Sequence, residues 1–171
     1  QLHTATTSCA ARIIGARELS RNDTAVVLVQ PAHRIVASHG QACLFRRPYP
    51  IGSFASGRVL TAFERRSGKT KDLLELGRRL HGHAAAQRLL AWVDFWGETQ
   101  PNAELLALQL GIPAEELEQI LPELVADKAL LQLGPQLVSL ARADQTKKLL
   151  LKIMHERAQA GGDAWLVENA V

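Results

Sequence analysis

Arg46 and Arg47 end one β-type run and Arg58 opens another, with Pro48, Pro50 and Gly52 between them. Proline fixes φ and has no backbone donor, so this stretch blocks helix and forces a turn. Two strands are expected, Ala42 to Arg46 and Arg58 to Phe63, with cations at both ends of a stiff connection. Guanidinium groups fixed on a sheet or its turns suit a polyphosphate partner, because each can grip two oxygens at once. Arg46, Arg58 and Arg47 are therefore candidate binding residues, and Arg12 and Arg34 belong to the same class. The plain alternative is a charged strand edge that discourages pairing with other chains.

Other spacings carry less chemistry. Gly68-Lys69-Thr70 has the end of a phosphate loop, but that loop needs a glycine five positions before Gly68, where Phe63 stands. A solvated basic connector is the better reading. His81 and His83 flank Gly82 as a metal pair would, yet no Cys, Asp or Glu cluster at ligand spacing stands beside them, so no metal is expected. His3 reads as a surface histidine near a strand end. Trp92, Trp96 and Trp165 could stack on bases, but Trp92 and Trp96 share a helix face with Leu89 and Val93, which favours core packing. Cys9 and Cys43 each sit in an apolar strand pattern and read as small buried hydrophobes rather than a disulfide. No Ser/His/Asp, Cys/His or paired-carboxylate set has a supporting motif, so no catalytic residue is expected in this segment.

The chain of 171 residues is 47% hydrophobic, enough for a packed core. No apolar run approaches the roughly 18 residues of a membrane span. There is no cleavable signal pattern, and two thiols without a signal point to the cytoplasm. The sequence begins at Gln1 without an initiator Met, so a segment of a longer protein is expected. The net charge of +3 conceals an asymmetry. Residues 1–82 carry 13 Lys+Arg and 5 Asp+Glu, a net of +8, whereas residues 83–171 carry 7 and 12, a net of −5. The first half is expected to meet a polyanion and the second, for the most part, is not.

Strand signals fill residues 1–63: Cys9 to Ala16, Thr24 to Gln30 ended by Pro31, Arg34 to Ala37, Ala42 to Arg46 and Arg58 to Phe63, with a polar turn at 20–23. Five short strands with tight turns predict a small antiparallel barrel or sandwich. Residues 64–82 read as a basic connector with a short helix over Lys71 to Leu80. From His83 the apolar period becomes helical. One helix ends near Gly97, Pro101 starts a second over Asn102 to Leu110, and Pro113 opens a third that Pro122 should kink. Ala129 to Leu133 and Gln136 to Leu140 then read as a hairpin across Gly134-Pro135. Three helices followed by a hairpin is the order of a winged-helix domain, expected over 83–141. Thr146 to Ala160 is one more amphipathic helix, stopped by Gly161-Gly162, and Trp165 to Val167 are expected to begin another element. An α+β chain of two domains follows: a barrel over 1–63, a connector over 64–82, a winged-helix domain over 83–141, and over 142–171 the opening helix of a second such repeat.

The strand half resembles the third domain of Tu-type elongation factors, specifically the SelB family of selenocysteine-specific factors. Ala5-Thr6 and Ala11-Arg12 fall where that family has its first motif, Val29 to Val36 with Gly40-Gln41 where it has its second, and Leu44-Phe45-Arg46 where it has its third. Ser53 to Leu60 (SFASGRVL) falls on the last and most specific motif, with Ala55 and Ser56 where two glycines are usual. Trp92 to Ser139 is similar to the family's first winged-helix repeat. The resemblance implies a GTPase that delivers selenocysteyl-tRNA to the ribosome, with this barrel contacting the tRNA through Arg46, Arg58, Arg47, Arg12 and Arg34. It implies that GTP and magnesium belong to a domain this chain does not contain. Contacts with the mRNA hairpin and the ribosome belong to other parts too. A monomer without membrane partners is expected.

The third helix of the helical half argues on its own account. Glu115, Glu116, Glu118, Glu123 and Asp127 occupy it, with no Lys or Arg before Lys128. A DNA-reading helix needs cations or amides there, so this one is expected to act as a spacer or to pack on protein. Lys147, Lys148 and Lys152 beyond it read as a solvated face. Two alternatives stand beside the translation-factor reading: a winged-helix DNA-binding transcription regulator and a protein-interaction module.

Overall fold

The β-type run before Pro48 becomes the strand on which the first half is assembled. In the computed structural model, which describes residues 1–5, 7–15, 20, 23–62, 69–97 and 102–159, β5 (Ala42–Arg47) pairs antiparallel on both sides. One neighbour is β1 (Leu2–Thr4), which in turn pairs with β2 (Thr7–Cys9), and the other is β6 (Gly52–Arg58). The sheet order is β2-β1-β5-β6. The chain then turns a corner at Ala10 and enters a second, two-stranded sheet of β3 (Ala11–Ile14) and β4 (Leu28–Pro31). The inner faces of the two sheets meet over Leu2, Cys9 and Phe45, with Ile13, Val29, Ile35, Cys43 and Ala55 packed around them.

The helical half follows, and its elements other than the last fall where the periodicity placed them. They are α1 (Thr70–Leu80), α2 (Ala85–Trp96), α3 (Ala103–Leu110), α4 (Ala114–Ala126), the hairpin β7 (Leu130–Leu133) and β8 (Gln136–Ser139), and α5 (Leu140–Gln159). Asn102 caps α3 by accepting from the Leu105 N–H at 2.9 Å, and Gly111 ends it with φ +60, the left-handed value a glycine takes without strain. Arg88 reaches across from α2 and donates to the Leu110 and Gly111 carbonyls, satisfying two acceptors beyond the end of α3's ladder. Leu89, Val93, Leu106, Leu110, Ile112, Leu130 and Leu137 are nearly inaccessible and form one core, to which α1 contributes Leu76 and Leu80. α4 runs through Pro122 to Ala126.

Among the described residues the chain is thus a mixed α/β fold of five helices and small antiparallel sheets, none closed into a barrel. The expected barrel fails for a local reason. Residues 24–27, 34–37 and 59–62, three of the segments expected to supply strands, are outside regular strands. Pro31 ends β4, and no ladder joins β3 or β4 to the larger sheet. The second strand of the hairpin also begins at Gly52 rather than Arg58, because the turn at 48–51 is tight and β5 pairs directly behind it. α5 starts at Leu140, six residues before the expected Thr146. The buried Ser139 hydroxyl accepts from the Arg142 N–H at 3.2 Å and starts the helix straight off β8. Ala16, the middle of the turn at 20–23, Phe63, Pro101 and everything from Ala160 lie outside the described residues, as do residues 64–68 of the basic connector.

Strands and helices meet along a close seam. A Cβ added at Gly77 in the middle of α1 would stand 2.6 Å from Val26 Cγ1, and one at Gly15 would stand 2.8 Å from Leu74 Cδ1. Gly77→Ala therefore sets helix propensity against packing. Propensity alone would stabilise by about 1 kcal/mol, whereas overpacking costs about 1–3 kcal/mol. Thermal denaturation should show Gly77→Ala destabilised, and Val26→Ala in the same chain should recover part of the loss. A simple stabilisation by Gly77→Ala would mean the seam is not packed.

Candidate nucleic-acid interface

Strand alternation sorts the five candidate arginines. In β5, Cys43 and Phe45 turn towards the small core, so Ala42, Leu44 and Arg46 share the outer face. Arg58 stands directly across from Ala42, His3 and Ser56 across from Leu44, and Ser53 across from Arg46. Arg46 and Arg58 thus lie on one face, about 13 Å apart along the strand direction, with His3 and the partly exposed Leu44 between them. Arg58 Nη1 donates to the Gly40 carbonyl at 3.1 Å, which orients its guanidinium at the end of the hairpin. The Nε of Arg46 and Nε2 of His3 are both enclosed and have no hydrogen-bonding partner among the described residues.

The other three arginines are placed differently. A register shift pairs Phe45 with Ala55 and Arg46 with Ser53, leaving Phe54 as the extra residue of a bulge. The Phe54 ring lies 6.2 Å from that of Phe45 and beneath the Arg47 guanidinium, whose Cζ is 5.4 Å from the ring centroid. Arg47 is thereby held at the hairpin tip by a cation–π contact and does not join Arg46 and Arg58 on the outer face. Arg12 lies on β3 opposite Gln30, in the other sheet, and Arg34 is exposed between β4 and β5.

The electrostatics of this half are one-sided. Residues 24–63 contain four arginines, Arg34, Arg46, Arg47 and Arg58, and no Asp or Glu. Among the described residues the ion pairs all lie beyond residue 69: Arg78 with Glu75, Arg79 with Asp94, and Lys152 with Glu156. None of the five candidate arginines is neutralised by a carboxylate partner there. On α4 and at its C-cap, by contrast, Glu115, Glu116, Glu118, Glu123 and Asp127 are all exposed. Lys147, Lys148 and Lys152 are exposed on α5, Lys152 in a 3.7 Å pair with Glu156. A cleft of about 460 Å³ lined by residues of α1, α2 and α5 already holds the Arg79–Asp94 pair at 2.7 Å.

Several residues weighed from the sequence have structural surroundings. Trp92 is buried, its ring 5.6 Å from that of Trp96, and Phe95 meets Trp96 edge to face at 5.1 Å, so this aromatic group belongs to the helical core. His81 is exposed, and His83 Nδ1 lies 2.9 Å from Gln87 Oε1. No group of three or more His, Cys, Asp or Glu that could hold a metal occurs among the described residues. Ala55, which stands where a glycine was expected, fills space beside Phe45 in the strand core, and Ser56 faces outward. Trp165 lies outside the described residues. Sequence reasoning passed over Tyr49 and Phe54, although aromatic residues next to an arginine pair in a proline-bracketed turn were the available signal. No family model, no curated protein and no solved structure matches the chain.

Cys9 and Cys43 are free thiols, Cys9 buried and Cys43 half-buried. Burial pushes the Cys43 thiol up, against a smaller opposite effect of the hydrogen bond from the Gly57 backbone. A thiol raised on folding contributes stability that is complete below its unfolded pKa and is lost as pH rises through the folded one. Wild type should therefore lose more stability than Cys43→Ala between about pH 8 and pH 10, read by urea denaturation at each pH. Equal losses would place the Cys43 sulfur in water.

Proposed function

We propose that this chain is a segment of a selenocysteine-specific translation elongation factor, whose strand half contacts selenocysteyl-tRNA. The single observation that carries this reading is the strand half's set of arginines without carboxylate partners among the described residues, with Arg46 and Arg58 on one sheet face. Such a surface leaves its positive charge for phosphates. Arg47, Arg12 and Arg34 add to the field from the hairpin tip, the second sheet and the loop before β5. The resemblance of Leu44-Phe45-Arg46 and Ser53 to Leu60 to the family's barrel motifs supplies the choice of tRNA among RNAs.

The helical half is proposed as a winged-helix unit made of α2, α3, α4 and the β7–β8 hairpin, used as a spacer. Its third helix and the C-cap Asp127 expose five carboxylates, which phosphates would repel, and this weighs against the DNA-binding transcription regulator. α5, the proposed opening helix of a second repeat, has no buried residue and exposes Leu149, Leu150, Ile153 and Met154, as a helix awaiting further packing would. GTP and magnesium are assigned to other parts of the factor, since Phe63 stands where a phosphate loop ending in Gly68-Lys69-Thr70 needs glycine. No nucleotide chemistry is assigned to this chain. The mRNA hairpin and the ribosome are assigned to other parts of the factor, and a cytoplasmic monomer is proposed.

Binding of the full chain to tRNA should weaken steeply with salt. The double change Arg46→Glu with Arg58→Glu should weaken it at least about tenfold and flatten the salt slope by roughly one to two phosphate contacts. Fluorescence anisotropy over a salt series measures both. Tighter binding to duplex DNA than to tRNA, indifferent to those changes, would overturn the proposal in favour of the transcription regulator. No salt-dependent binding to either polymer would leave the protein-interaction module.

A further inference from the structure

The tip of the β5–β6 hairpin holds the most exposed aromatic ring of the described residues. Tyr49 is 90% exposed and Ile51 79%, in a turn bracketed by Pro48 and Pro50. Below them Phe54 is 49% exposed, wedged between the Phe45 ring and the Arg47 guanidinium. One ring is thus fixed with a cation over it, and another projects freely a few residues away. The prolines restrict the backbone on either side of Tyr49, so fixing its ring in a complex costs little further chain entropy.

Resting on the reading of the strand half as an RNA-binding surface, we propose that this tip is a stacking site for an unpaired base. Tyr49 provides the free face, the Arg47–Phe54 pair a second platform, and Arg46 holds the adjoining phosphate. Every base has a π-face, and exposed bases stack on aromatic rings and on guanidinium planes. The cations also suit a nucleic-acid strand better than a lipid surface. A membrane-inserting tip would gather its cations in one plane near the apolar end, whereas here they run from Arg47 and Arg46 at the tip to Arg58 at the far end of the hairpin. Ile51 is the one aliphatic side chain within the turn itself, a small apolar area for insertion.

The test compares two RNA probes on the full chain: a blunt 12-base-pair duplex and the same duplex with a four-nucleotide unpaired overhang. The overhang should raise affinity about tenfold. Tyr49→Ala should remove that gain and leave duplex binding unchanged, while Tyr49→Phe keeps it. Tyr49 is the single tyrosine of the chain, so its ring protons should shift upfield by NMR with the overhang probe and stay in place with the blunt duplex. Equal affinity for both probes, or an overhang gain that survives Tyr49→Ala, overturns the stacking site while leaving RNA binding by the sheet face intact. Absence of binding to both probes at low salt overturns the underlying RNA reading as well. Binding to vesicles of anionic phospholipid that Tyr49→Ala abolishes, with no effect on either RNA, assigns the tip to a membrane and overturns the proposal.

Discussion

A clasp at His39 ties the strands to α3. The His39 N–H donates to the Leu108 carbonyl in α3 at 3.0 Å, and its ring Nδ1 meets the Leu60 carbonyl at 2.8 Å. The same ring packs against Gly111 so closely that no Cβ could stand there. Gly111 serves two ends at once, since its left-handed backbone closes α3 and its missing side chain admits the histidine. Thr61 donates to Gln109 at 3.1 Å beside it, and Gly77 against Val26 extends the contact to α1. The His39–Leu108 and Thr61–Gln109 hydrogen bonds thus both cross from the strand half to α3.

That constraint gives the charge distribution its meaning. A basic sheet and an acidic helix joined by a loose tether would sample each other, and the glutamates of α4 could fold over the arginines. Held by the clasp, each keeps its own surface. Among the described residues, Arg46 and Arg58 have no carboxylate partner, and the ion pairs that form stay within the helical half. The proposed RNA interface and the proposed spacer are in this sense one design, a binding face and a rigid arm that does not compete for it.

The sequence disclosed the helical half well because its signals are local. Asn102, Gly111, Pro113 and the Gly134-Pro135 turn mark element ends by short-range chemistry, and the apolar stripe of Leu89, Val93 and Trp92 became core. The start of α5 escaped because Ser139 reads as the end of a strand and its capping role depends on the helix that follows. Strand residues were recognised, but pairing is non-local. Val26 and Arg34 looked like barrel strands, whereas one packs on α1 and the other lies in a loop. The hairpin arginines were legible as cations, but their sorting onto two faces was not. It depends on the bulge at Phe54, which two residues opposite one create and no local pattern announces. His39 likewise gave no signal, because its partners Leu60, Leu108 and Gly111 lie 21 to 72 positions away.

RNA is proposed to sit on the sheet face of Arg46 and Arg58 and to leave the helices alone. Hydrogen–deuterium exchange of the full chain with and without tRNA, read peptide by peptide, tests it most directly. The account predicts slower exchange across Ala42–Arg58 on adding tRNA, with α4 unchanged. Protection confined to α4 or α5, with the hairpin exchanging as before, would contradict it.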